Sequence, residues 1–382
     1  MQANRRELLK LAASMLVASA MPRPMLAASE AARKVILVTC GGIRREESVA
    51  DREARNLPHI STEIAPHSVF YQWMRNGGVT SHFNTISSIL TGRWQHIDDW
   101  GKLRPEHPTL FEYLRKEKHW GQEQCWYISS NKAMTSQIGA SSSAVYGPEF
   151  GANVLFPKQL LINAVVLAAE KGRAVHSTDR STVAPEMEAM LSADNYDGLG
   201  WAVDGANNTI PPAMLQAVQQ AIEELVRTND PVTGDEFTYL VTLEVMRRFA
   251  PSFVTISFSD MEAGHFGSYA LYQAGIRSVD RLVASLWRQV QVMPAYANKT
   301  TLLVLPEFGR DADGSTTNGF FNHLQDADGT RLTWMFAIGE AVRKPQIITS
   351  MVEQTQIAPT IARLFDLQNA NLQTAVLPGL AL

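Results

Sequence analysis

The chain has 382 residues, 45% of them hydrophobic and 19% charged, with a formal net charge of −4. This length supports a large α/β domain with ample core, and the composition excludes a disordered chain. The charge offers no basic field for nucleic acid, and two cysteines, Cys40 and Cys125, exclude a disulfide framework or a four-thiolate zinc site. Both lie in strand-like stretches and read as buried free thiols.

The first segment, "NRRELLKLAASMLVASA", sets Arg5 and Arg6 before an apolar stretch that starts at Leu8 and is broken by Lys10. Paired arginines, a modest apolar region and then small residues read as a twin-arginine export signal. The expectation is a signal over residues 1–28, cleaved after Ala20 or Ala28, and a periplasmic mature chain. The apolar stretch is shorter than the roughly 20 residues a membrane span needs, so no integral span is expected.

Strands then alternate with helical patterns. "RKVILVTC" (33–40) is an apolar strand ending at Gly41-Gly42. Residues 65–78 carry Val69, Phe70, Trp73 and Met74 at helical spacing, which predicts a helix stopping at Gly77. "VTSHFNT" predicts a strand and "ISSILTG" a short helix ending at Gly92. "HPTLFEYLRKEKHW" opens with Pro108 and sets Leu110, Phe111 and Leu114 on one helical face. "QCWYISS" and "SFVTISFSD" are strands, and a long helix follows the second. "TTLLVLP" and "LTWMFAIG" are further strands, and "TQIAPTIARLFDL" is a closing helix. The alternation predicts a doubly wound, mostly parallel sheet flanked by helices, spanning 29–382. Between about 138 and 248 the rhythm changes to loop-like and helical runs, read as a largely helical, cap-like insertion. The Asp-Gly pieces, such as the two "DADG" stretches, lack the alternating oxygen ligands of a calcium loop and read as turns.

Ligand sites of open α/β sheets lie at the carboxyl ends of the strands. "SDMEAGHFGSY" brings Asp260, Glu262 and His265 to that edge, "PEFGRDADG" brings Glu307 and Arg310, and "NGFFNHL" brings His323. Carboxylates and imidazoles meeting there can hold Zn²⁺, Mn²⁺ or a similar ion.

In order and combination, "VILVTCGGIR", "ISSILTGRW", "HPTLFEYLRKEK", "SFVTISFSDMEAGHFGSY", "TTLLVLPEFGRD" and "QIAPTIARLFDL" resemble the alkaline phosphatase superfamily, which includes sulfatases and nucleotide pyrophosphatases/phosphodiesterases. The resemblance implies two metal ions flanking a Ser or Thr nucleophile. It implies a ligand Asp just after the first strand, where this chain has Gly41-Gly42. Counting back from "LTG", the nucleophile position falls on His82, with Ser81 and Thr85 nearby, and the implied Asp-His-Gly reads Glu307-Phe308-Gly309. All three departures strike one metal position and the nucleophile it activates. Gly41→Asp with Phe308→His would then restore two ligands. The other position keeps Asp260 or Glu262, His265 and His323, with either acid open as the ligand. Glu307 is expected to reach this surviving ion, or to pair with Arg310 or loop amides.

One divalent ion, Zn²⁺ or Mn²⁺, is therefore the expected cofactor. A divergent hydrolase would use His82 or a metal-bound water for attack, with Arg310 binding a small anionic phosphate or sulfate ester. The alternatives are an inactive protein that binds a periplasmic ligand or partner, and a purely structural metal.

Overall fold

A computed structural model of the chain describes residues 33–98, 101–131, 135, 137–158, 210, 211, 213, 214, 233–317, 319–324, 326–368, 372 and 375–382. The expected export signal lies outside the described residues, as do nearly all of the helical runs expected within 159–232.

Strand β1 (Lys34–Cys40) is buried along its whole length between β5 (Phe253–Phe258) and β6 (Thr300–Pro306), parallel to both. A strand covered on both faces needs a near-continuous apolar run, and all three have one. Beyond β5 lie β3 (Cys125–Ser129) and β4 (Asn153–Leu155). Beyond β6 lie β7 (Leu332–Gly339), β2 (Ser68–Arg75) and β8 (Gln346–Ile348), with β9 (Val352–Glu353) also beside β2. The order is β4-β3-β5-β1-β6-β7-β2-β8, and within it β7 alone runs antiparallel to its neighbours.

The pleat sorts the side chains into two cores. Ile36, Val38 and Cys40 face a layer formed by α3 (Gly234–Phe249) and α4 (Tyr269–Val292). Val35 and Leu37 face α1 (His82–Thr91), α2 (Leu110–Glu117) and α5 (Ile357–Leu364). Both cysteines are free and buried. The described ends of the expected insertion carry β4 and α3, which belong to the sheet and its layers.

Two local expectations are corrected. Residues 68–75 form β2, not a helix, with a register shift between Tyr71 and Met74. The bulge moves one buried contact along, so Val69, Tyr71 and Met74 share one core while Phe70 packs against the other, and apolar residues on both faces leave Val69, Phe70, Trp73 and Met74 at the spacing of a helix. "SHFNT" opens α1 and is not a strand: the helix starts at His82, four residues before the predicted segment, and ends at Gly92 in the left-handed region, φ 68°. All ten residues of α1 are buried, so no amphipathic stripe marks its first turn.

The reversal of β7 matters for function. A parallel strand would force the chain back across the sheet, whereas the 307–331 connection between β6 and β7 stays at one edge. His323 therefore arrives beside the carboxyl ends of β1, β5 and β6.

Glu112 locks α2 to the loop before β4. Its carboxylate accepts from Thr109 N and Oγ1 at 2.7 and 2.8 Å, and from Ser141 N and Oγ at 2.9 and 2.6 Å. Glu112→Ala removes a capping box and leaves buried donors unpaired, which should cost about 3 kcal/mol in urea unfolding. A loss below about 0.5 kcal/mol would show that the clamp contributes nothing.

Candidate metal centre

After β5 the chain winds into a 3₁₀ segment, Asp260–Phe266. Residues three apart are eclipsed in such a turn. Glu262 and His265 thus share a face, and the Glu262 Oε2 to His265 Nε2 distance is 2.9 Å. Asp260, five residues from His265, turns elsewhere: its Oδ1 accepts from Asp235 N at 3.3 Å, and its own N–H donates to the Asp235 carboxylate at 2.9 Å. Asp235 is a buried acid that the sequence did not single out; burial, then the neighbouring Asp260 charge, raises its pKa well above the usual carboxylate range.

His82, at the first turn of α1, points the same way, with Nε2 3.5 Å from Glu262 Oε2. His323 completes the group, its Nε2 3.2 Å from His265 Nε2. Ligand atoms of His82, Glu262, His265 and His323 all lie within 4.8 Å of one another. Three of the four residues are buried and His265 is half-buried.

Two imidazoles are fixed from behind. His323 Nδ1 lies 2.6 Å from the carbonyl of Thr80, so that nitrogen carries the proton and Nε2 keeps its lone pair. His82 Nδ1 lies 2.6 Å from Glu307 Oε2, again leaving Nε2 toward the group. Such partners orient metal-binding histidines. Glu307 stands behind His82 and is not among the converging ligand atoms. Thr80 carried no signal in the sequence, because a backbone carbonyl performs its role.

Arg310 is fully buried. Its Nη2 donates to Glu262 Oε2 at 2.7 Å, Nε to Gly42 O at 2.8 Å and Nη1 to Phe320 O at 3.1 Å. The expected anion-binding arginine is thus turned inward and holds the Glu262 carboxylate. Thr85 is also engaged: its Oγ1 donates to Val79 O at 3.1 Å and accepts from Asn76 Nδ2 at 2.9 Å.

Electrostatics follow from these contacts in the metal-free chain. Burial alone would raise the Glu262 pKa, but Arg310 and His82 outweigh it and hold the carboxyl well below its usual range. Burial would lower the His82 pKa, yet Glu262 and Glu307 push it up to about 10. Burial raises Glu307, with His82 opposing. Burial and then the His82 charge drive His323 well down, keeping it a neutral imidazole with a lone pair to give.

Gly41 explains the placement of Glu262. A Cβ on residue 41 would lie 2.0 Å from Glu262 Oε1, which accepts from Gly42 N at 2.6 Å. The carboxylate thus occupies the space where the resemblance implies an aspartate, and an aspartate at 41 would have to displace Glu262 from the Gly42 amide before it could act as a ligand. Phe308 is fully buried, its ring centroid 4.2 Å from that of His323 and 5.0 Å from that of His82. It forms an apolar wall on this side of the group.

The donor set suits a transition ion: three imidazoles and one carboxylate match Zn²⁺ or Mn²⁺ better than Ca²⁺ or Mg²⁺. Gly41→Ala should push Glu262 off the Gly42 amide and weaken Zn²⁺ binding about tenfold or more by calorimetry. Unchanged affinity in a folded Gly41→Ala protein would remove Glu262 from the donor set.

No protein-family profile matches the chain, and neither does any curated protein. Solved structures do. A protein of the alkaline phosphatase superfamily from Vibrio parahaemolyticus aligns over 96% of this chain and 76% of its own, with 11% identity and a TM-score of 0.52. A phosphonate monoester hydrolase from Silicibacter pomeroyi aligns over 90% and 76%, with 12% identity and a TM-score of 0.56. A 2-O GAG sulfatase aligns over 91% and 73%, with 12% identity and a TM-score of 0.54. At these identities the likeness is one of fold, and the fold is that of the alkaline phosphatase superfamily.

Proposed function

We propose that this protein binds one divalent transition ion through His82, Glu262, His265 and His323 on an alkaline-phosphatase-like fold, and turns over phosphate or sulfate esters far more slowly than a two-metal hydrolase. The observation that carries the reading is the convergence of three Nε2 atoms and one carboxylate oxygen, two of the imidazoles being fixed from behind. A bound ion would supply the positive charge that anchors and polarises a small anionic ester.

The chain's own residues account for the weak chemistry. His82 stands where the resemblance implies the nucleophile, and here it is turned into the ligand group. The space beside Gly41 is filled by Glu262, which already serves Arg310 and the His group, and the apolar Phe308 ring lies against His323, which disfavours a second ion at that corner. Two-metal transfer needs ions on both the attacking and the leaving side, and losing electrostatic stabilisation of this kind costs orders of magnitude.

One observation favours a second reading, an inactive ligand- or partner-binding protein. Four protein donors would be enough to complete the shell of a structural zinc site, with no position kept for substrate. Metal analysis with a panel of nitrophenyl phosphate, diester and sulfate substrates separates the cases. The proposal expects one equivalent of Zn²⁺ or Mn²⁺ and slow, metal-dependent turnover of at least one ester. One equivalent with no turnover supports the inactive reading. Two equivalents with turnover at the roughly 1–10³ s⁻¹ common for enzymes would contradict the proposal.

Export is part of the proposal, supported by the paired Arg5 and Arg6 before the apolar stretch. No helix among the described residues is long and apolar enough to cross a membrane. Changing both arginines to Lys should leave full-length precursor in the cytoplasm, and an unchanged periplasmic yield would refute the twin-arginine reading.

A further inference from the structure

The alternation of the central strands brings Thr39, Ser257, Tyr127 and Glu307 to one face of the sheet. On β1, Val35 and Leu37 face the α1, α2 and α5 layer, and Thr39 is next on that face. On β5, Phe253 leads to Thr255 and then Ser257; on β3, Cys125 leads to Tyr127. On β6, Leu303 and Leu305 lead to Glu307, just past the strand. Thr39 and Ser257 are register partners across the β1–β5 pair. Thr39, Ser257, Tyr127 and Glu307 are all buried.

A buried hydroxyl without a partner costs about 1–3 kcal/mol. The hydroxyls of Tyr127, Ser257 and Thr39 satisfy one another in series. Tyr127 OH donates to Ser257 Oγ at 3.0 Å, and Thr39 Oγ1 donates to Glu307 Oε1 at 3.3 Å. Between them, Ser257 Oγ and Thr39 Oγ1 are 2.7 Å apart. Thr39 has a single hydroxyl proton and gives it to Glu307, so Ser257 is the donor in the middle bond. Every O–H therefore points down the chain toward Glu307, whose other oxygen meets His82 Nδ1 at 2.6 Å.

We infer that Thr39, Ser257 and Tyr127 are positioning residues for the metal centre: a hydroxyl chain crossing the sheet from β3 to Glu307 aims that carboxylate and, through it, His82 Nε2. The inference rests on the metal-binding reading. The backbone of Glu307 is already held, its N–H donating to Cys40 O at 2.7 Å and its carbonyl accepting from Gln354 Nε2 at 2.8 Å. What remains to be fixed is the flexible side chain, and one oxygen held by the hydroxyl chain fixes the other against His82. The aligned O–H dipoles also polarise one another toward the carboxylate.

Co²⁺ titration of the full chain, read by visible absorption, tests this with Thr39→Val, Ser257→Ala and Thr39→Ser, beside thermal unfolding of each metal-free protein. Thr39→Val and Ser257→Ala should weaken Co²⁺ binding about tenfold and change its ligand-field bands, while Thr39→Ser stays within about threefold of wild type. A folded Thr39→Val protein with wild-type affinity and spectrum overturns the inference, even if its thermal stability falls, because the hydroxyls would then serve only the fold. Should Thr39→Val not fold, Ser257→Ala against Thr39→Ser decides the same question by the same readout. A wild type that binds no Co²⁺ defeats the metal reading itself, and the inference with it.

Discussion

A carboxylate taken out of water needs compensating charge, and at Glu262 it comes from Arg310, 2.7 Å away and fully buried. Breaking such a pair by removing one partner typically costs about 3–5 kcal/mol, because the other charge is left stranded. The pair exists in this position because residue 41 has no side chain. Glu262 leans into that space, takes the Gly42 amide with one oxygen, and presents the other to Arg310, His82 and His265. The guanidinium is braced in turn by the carbonyls of Gly42 and Phe320, which ties the β1 and β6–β7 loops to the 3₁₀ segment.

The same contacts imply that the His and Glu group is arranged without an ion. His323 is held by Thr80, His82 by Glu307, and Glu262 by Arg310 and Gly42. His323, His82 and Glu262 thus each have a partner outside the group, unlike the ligands of small zinc domains whose folding waits for the ion. The strand layout makes this feasible: an antiparallel β7 starts at the edge where β1, β5 and β6 end, so His323 and Glu307, between β6 and β7, meet His82 and Glu262 there.

Much of this was legible in the sequence, and the gaps have physical causes. Continuous apolar runs marked β1, β5, β6 and β7 because burial on both faces leaves no alternation to confuse. Strand β2 reads as a helix because its bulge and its apolar residues on both faces leave Val69, Phe70, Trp73 and Met74 at helix-like spacing. The start of α1 was missed because a helix buried on all sides shows no polar face. In the candidate site, the sequence pattern points to His265, His323 and either Asp260 or Glu262, and it is the three-residue turn of the 3₁₀ segment that sets Glu262, not Asp260, beside the two histidines. His82 was singled out for attack and Arg310 for anion binding. Their observed contacts depend on where Glu262 sits, and a glycine's empty space leaves no mark in a sequence pattern.

Anomalous diffraction from crystals of the Zn²⁺-loaded protein, measured at the zinc edge, tests the central claim most directly. The account predicts one anomalous peak bonded to His82 Nε2, Glu262, His265 Nε2 and His323 Nε2, with Glu307 hydrogen-bonded to His82 Nδ1 and outside the coordination shell. A second peak beside Gly41 and Phe308, or one ion held by Asp260 or Glu307 with His82 turned away, would contradict it.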